Sequence, residues 1–359
     1  MSPAGAPDGG GVYLALLIAT FALHLLLIGF VVGGTAYLVA RAVRGGGPPA
    51  DELIARQHGA GAYHHSWHDV LAERTRDWLP FALGLAITAG VAPLLFVQVL
   101  YQPRFYTSNL LLFHRWMAIV PALIVGFYLL YLAKSERALR WRRGAQLAIV
   151  AVALACFTFV AWTWTENHAL ASTDDAPAVW VEHYARGRVF HRSPMVAPRL
   201  VMWLALCAPL WAAPAGLLAR AARPAVALRR LAVIALVGLA IAVVAAVLAH
   251  DRAPLGLKAG LAAAPGWVVA CAITAALIAA GWMLVLVGRV RAGLAVALAS
   301  NAALVLSLAG AREASRAALR TGPHHVAQGL PTFAVTFLLA AAAIVLCVHL
   351  VRRNLAATR

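Results

Sequence analysis

The sequence predicts an all-α integral membrane protein: a bundle of about nine transmembrane helices, N-terminus outside and C-terminus inside, forming one polytopic membrane domain over residues 1–359. Three observations carry that prediction. Of the 359 residues, 63% are hydrophobic and 12% charged, and the mean hydropathy is +0.81. A soluble domain keeps about a quarter of its residues charged. Nine apolar segments, 12–40, 79–102, 110–133, 145–167, 198–220, 229–250, 266–288, 292–311 and 330–351, are each long enough to cross a hydrocarbon layer of about 30 Å as a helix. The basic residues then set the orientation. Arg41, Arg44, Arg56, Arg74 and Arg76 follow the first segment, and Lys134, Arg137, Arg140, Arg142 and Arg143 the third. Arg220, Arg223, Arg229 and Arg230 follow the fifth, Arg289 and Arg291 the seventh, and Arg352, Arg353 and Arg359 the ninth. They are the majority of the 30 Lys and Arg, which places these connections inside.

The first segment follows MSPAGAPDGG, a leader without a basic residue, and it is too long for a signal-peptide core. It reads as a retained span. His24 lies well inside it, in the outer half. An ionisable group within a bilayer is costly, and neutral imidazole is the cheapest such group to bury. Two roles are open for it: a hydrogen bond to a neighbouring helix, or an axial ligand to a haem iron. Gly29 and Gly33 form a GxxxG pair in the same span, a pattern that lets another helix approach closely. At about 100° per residue, His24 stands about 140° around the helix from Gly29. One face is thus free to pack while another presents the imidazole.

The inside connection 41–78 contains QHGAGAYHHSWHDVLAERTRDW. His64 and His68 have the i, i+4 spacing of a metal pair, but no Cys accompanies them. A short interfacial helix with Trp67 and Trp78 at the lipid surface is the better reading. The outer connection 168–197 carries WVEHYARGRVFHR and reads as a second amphipathic segment, able to cover the bundle. His114, His168 and His250 fall at outer ends of spans, and His183, His191, His324 and His325 in outer connections. Cys156, Cys207, Cys271 and Cys347 lie inside spans, with no CxxC or CxxCH among them. No disulfide framework and no covalently attached haem is expected.

All 13 acidic residues fall in a terminus, a connection or the end of a span. Proton-conducting oxidases and proton-coupled transporters ordinarily carry carboxylates within the membrane, so the pattern speaks against both. The net charge of +17 is divided among short connections, where it anchors them to anionic lipid. It is not gathered on one soluble face, so nucleic acid is not an expected partner. No P-loop, Rossmann fingerprint, GxSxG or HExxH stands in a fitting context.

The order of these features resembles subunit I of the cytochrome bd quinol oxidase superfamily. LHLLLIGFVVGGTAYLVA resembles the family's first helix, with His24 at its haem-ligand position. FALGLAITAGVAPLLFVQVLYQPRFYTSN, residues 81–109, resembles the second helix and the connection after it. FVAWTWTENHALASTDDAPAVW is similar to the family's fourth helix running into its outer connection. The resemblance covers residues 12–205; over 206–359, which holds further transmembrane helices, only the number of spans supports it.

The resemblance implies a multi-pass protein of the bacterial inner (cytoplasmic) membrane, haem b as cofactor, quinone as a possible second one, and other membrane or periplasmic redox subunits as partners. It makes His24 the metal ligand, with His168 and Met202 as candidates for a second cofactor-binding position. The departures are equally specific. Met202, in PRLVMWLAL, stands where the family's fifth helix has a low-spin haem histidine. APGWVVACAIT lacks the partner methionine, and the quinol-binding connection is reduced to DRAPLGLKAGLAAAPG. The membrane glutamates have no counterparts. Oxygen reduction by this chain alone is therefore not expected, and no catalytic residue is assigned. Two readings stay open: an electron-carrying subunit with one haem, and a haem-free structural or assembly subunit on the same fold. A transporter is a distant third, because Pro93, Pro121 and Ser300–Asn301 are too little for the broken helices and midplane polar residues that transport requires.

Overall fold

The structure is a computed structural model that describes residues 9–44, 67–220 and 225–320, with four isolated positions beyond them. Among the described residues the chain is helical and contains no strand. In order the helices are α1 (Gly9–Arg44), α2 (Trp67–Leu100), α3 (Gln102–Leu111), α4 (Phe113–Met117), α5 (Ile119–Lys134), α6 (Glu136–Leu139) and α7 (Arg143–Ala171). There follow α8 (Ala176–Ala185), α9 (Val196–Arg220), α10 (Ala225–Asp251), α11 (Leu255–Ala262), α12 (Pro265–Leu286) and α13 (Val290–Ser315).

Among the described residues, eight stretches are long and apolar enough to cross a membrane: 11–44, 71–100, 113–134, 143–171, 196–218, 227–251, 265–286 and 290–315. They correspond one to one with the first eight segments expected from hydropathy. The ninth, 330–351, lies outside the described residues, as do His64, Cys347 and the pair His324–His325. The largest difference is at the second span. The expected interfacial helix is no separate element: Trp67–Leu100 is one continuous helix, with Pro80 and Pro93 inside it. Its entry, WHDVLAERTRDW, has the helix-forming run LAER at its centre and contains neither Gly nor Pro, so nothing breaks it before the membrane. Pro80 then removes one backbone donor without ending the helix.

Apolar side chains facing outward show where lipid belongs. Val233, Val237, Val244 and Val247 of α10 are all more than half exposed, and they recur at helical spacing. Contiguous exposed apolar surface of this kind is found where a protein meets a membrane or another chain.

Helix α1 is the central staff. It packs against α2, α7, α9 and α13, and its side chains enter three core clusters. Phe21 and Leu25 join Trp211 and Trp282; Val31 and Leu38 join Leu83 and Phe157; Tyr13 and Leu17 join Phe96 and Tyr101. A helix apolar on every face suits that position. The expected division of its faces is realised. A methyl group at Gly33 would run into the Cys207 carbonyl and the Trp211 side chain, and one at Gly29 into Leu210. The GxxxG face therefore meets α9, where Tyr37 also stacks on Trp211 with ring centroids 4.5 Å apart.

The nearest atom at Gly33 is a backbone carbonyl oxygen, whereas at Gly29 it is the terminal methyl of Leu210, which gives more easily than backbone although the Leu210 Cβ is also close. Gly33→Ala is thus expected to destabilise the protein by roughly 1–3 kcal/mol, and Gly29→Ala by clearly less. Thermal denaturation of the two purified variants checks the order, and equal shifts would contradict it. Where α13 meets α9, the buried Asn301 amide of α13 donates to the Pro209 carbonyl of α9 at 2.9 Å. Ser300–Asn301 thus joins two helices by a hydrogen bond, a common device between membrane spans.

Candidate functional site

His24 faces away from α9, toward α2. Its Nδ1 is 2.9 Å from the Ala86 carbonyl, and because a carbonyl only accepts, Nδ1 carries the proton. Nε2 is then the bare nitrogen. The ring lies in a recess of α2: a Cβ at Gly90 would stand 2.9 Å from both Nδ1 and Cε1. A metal-bound histidine ordinarily ties its other nitrogen to a carbonyl or carboxylate in this way. His24 thus presents one imidazole with its tautomer set and its ring held, the kind of donor that a haem iron would take.

α1 begins, α2 and α7 finish, α9 begins and α13 finishes at one end of the bundle, and there the chain buries a cluster of charge. Glu313 is 1% exposed. One carboxylate oxygen pairs with Arg312, and the other accepts from the Tyr101 hydroxyl at 2.5 Å. The Arg312 guanidinium lies 4.8 Å from the centre of the Phe21 ring, and that of Arg316 lies 3.9 Å from the centre of Tyr101. Burial and the adjoining Glu313 carboxylate hold the Tyr101 phenol above its ordinary range, so it remains a proton donor. Arg199 of α9 reaches His168 of α7, its Nη2 3.5 Å from Nε2.

A second buried pair supports the cover over this end. Arg115 of α4 pairs with Glu166 of α7, and the other Glu166 oxygen accepts from the His191 backbone N–H. The guanidinium lies beside the stacked Trp162 and Phe190 rings, 4.2 and 4.8 Å from their centres. Of the expected amphipathic segment 180–192 only the first part is helical, as the end of α8, with 186–192 irregular; the Trp180 indole N–H donates to the Leu170 carbonyl at 3.1 Å. Asp174, just before α8, accepts from the backbone N–H groups of Leu255 and Gly256 at 2.8 and 2.9 Å, where an anion suits the start of α11. Burial, with the charges of His183 and Arg188, pushes the His191 imidazole down to about 4, so at neutral pH it is uncharged. A cavity of about 270 Å³ opens beside Arg115, between Leu110–Phe113 and His183–Tyr184.

The three residues singled out from sequence occupy neighbouring elements but separate environments. His24 lies against Ala86 and Gly90, and His168 against Arg199. Met202 is one turn beyond Arg199 on α9 and partly buried. Among the described residues no hydrogen bond or ring contact joins any two of them. No three of His, Cys, Asp and Glu among the described residues form a metal-binding group, and Cys156, Cys207 and Cys271 are free thiols. Tyr101, Arg199, Arg312, Glu313 and Arg316 were not singled out. The signal for Arg312, Glu313 and Arg316 is the charged turn AREASR closing an otherwise apolar helix; Tyr101 and Arg199 carry no such local signal.

No family model matches the sequence, and no curated protein matches it. Among solved structures the chain is similar to the bd oxidase from Geobacillus thermodenitrificans, with a TM-score of 0.55 and 13% sequence identity, over 97% of this chain and 99% of that chain. At that identity the likeness is one of fold. It extends the resemblance noted over residues 12–205 through 206–359, where the number of spans was its only support. The chain is a multi-pass helical membrane protein with the fold of a bd oxidase chain, matched almost end to end.

Proposed function

We propose that this chain is a cytochrome bd-like membrane subunit of a respiratory electron-transfer complex in the bacterial inner membrane, holding one haem b through Nε2 of His24. The observation that carries the reading is the set of His24 itself: Nδ1 committed to the Ala86 carbonyl, Nε2 bare, and the ring given its room by Gly90. Held by His24, a haem b would supply one-electron exchange between a quinone in the bilayer and a redox partner subunit. The protein's part is to fix the tautomer and to surround the group with apolar side chains, which tune its potential. His168 commits its Nε2 to Arg199, which leaves Met202 as the second-position candidate without a polar partner. Oxygen reduction by this chain alone is no part of the reading.

The haem-free subunit on the same fold is favoured by one observation. The close fit of the imidazole between α1 and Gly90 is also what a histidine that only joins two helices adopts. A reduced-minus-oxidised visible spectrum and pyridine haemochrome quantitation on the purified protein separate the two. One haem b per chain is expected in the native protein and none in His24→Ala, with the bundle still folded. Unchanged haem in His24→Ala removes the site assignment. No haem in protein purified gently with its partners makes the chain a scaffold.

A further inference from the structure

The charged cluster at the start of α1 holds more positive charge than its acid offsets. Arg199, Arg312 and Arg316 meet there, the latter two 8% and 2% exposed. Arg104 adds a further positive charge that Arg316 feels. The one carboxylate, Glu313, has both oxygens occupied, by Arg312 and by Tyr101. Burial and the Arg312 charge push the Arg316 guanidinium down to about 10, so it is still a cation at neutral pH.

Between these residues lies a crevice of about 10 Å³, bordered by His168, Asn167, Arg312 and Arg316 and walled by Phe105 and Trp164. Three buried nitrogens of the residues around it have no hydrogen-bond partner: Nε and Nη1 of Arg316 and Nδ1 of His168. All three are donors. A guanidinium has no acceptor, and because Arg199 can only donate to His168 Nε2, the histidine's proton sits on Nδ1. A water here would bring two hydrogens of its own and no charge. Unmet donors together with unbalanced positive charge call for an anion. The space is close to that of one water, so a phosphate does not fit it as it stands and a monatomic ion needs the least widening.

We propose that this crevice binds a single halide ion, chloride in the cell, held by Arg316, His168 and Arg312. The site is built from α7, α13 and the turn after α13, and it does not depend on the haem assignment. Its role is to neutralise the cluster that ties the end of α13 to α2 through Tyr101.

The test uses the full-length chain. Crystals grown in bromide in place of chloride are expected to show one anomalous peak in the crevice. Water density without a peak overturns the proposal. So does phosphate density running into an acyl chain, which would assign the charge to a lipid headgroup. In parallel, chloride replacing gluconate at constant ionic strength should raise the thermal midpoint on the order of 3 °C and then saturate. Arg316→Gln should abolish that response. A native midpoint indifferent to chloride, or an equal response in Arg316→Gln, also overturns it. Should Arg316→Gln fail to fold, the bromide peak in the native chain decides.

Discussion

Glu313→Leu is expected to prevent accumulation of folded protein, while Glu313→Gln yields protein of lowered thermal midpoint. Glu313 is 1% exposed and is the carboxylate among Arg199, Arg312 and Arg316. Removing one partner of a buried ion pair costs about 3–5 kcal/mol, because the remaining charge stays buried without compensation. The Tyr101 hydroxyl loses its acceptor in the same step, at about 1–3 kcal/mol more. Together these approach the roughly 5–15 kcal/mol of stability that a folded protein has in all. Glutamine keeps an acceptor for Tyr101 and loses only the charge, so it falls between. The measurement is monodisperse yield and thermal midpoint of the two variants against the native chain. A Glu313→Leu protein as stable as native would mean that the guanidinium groups are compensated without this carboxylate.

That cluster was hidden in the sequence for a physical reason, while the spans were open to view. Crossing a membrane requires a long apolar run within one segment, so the first eight spans could be read directly from local composition. The faces of α1 were legible too, because helical geometry alone separates His24 from Gly29 and Gly33. What each face would meet was not. Ala86, Gly90 and Cys207 come from helices that hydropathy places in the membrane but not beside one another. The charged cluster is harder still: Tyr101 and Glu313 are 212 residues apart. An acid at the end of a span looks interfacial when seen alone, as Glu166 and Glu313 did. Only the packing of α3, α4 and the 186–195 connection over the helix ends turns such positions into buried ones. The second span was misjudged for the opposite reason, since its polar entry continues a helix that hydropathy cuts off at the membrane edge.

Arg115→Leu is expected to lower stability by about 3–5 kcal/mol, and the double variant Arg115→Leu/Glu166→Leu to recover part of that loss. The side chains of Arg115 and Glu166 are 7% and 2% exposed, so the leucine leaves a carboxylate buried without its cation. Removing both charges removes that penalty. Recovery stays partial because Glu166 also accepts from the His191 backbone N–H, and an unmet buried donor costs about 1–3 kcal/mol. Arg115→Lys should fall between native and Arg115→Leu. An ammonium keeps the charge but lacks the broad guanidinium group that sits beside both Trp162 and Phe190. A double-mutant cycle on thermal midpoints isolates the coupling between the two residues. Strictly additive effects would show that the pair contributes nothing beyond its separate contacts. The cover over α7 would then be held by the stacked Trp162 and Phe190 rings, 5.7 Å apart, and not by charge.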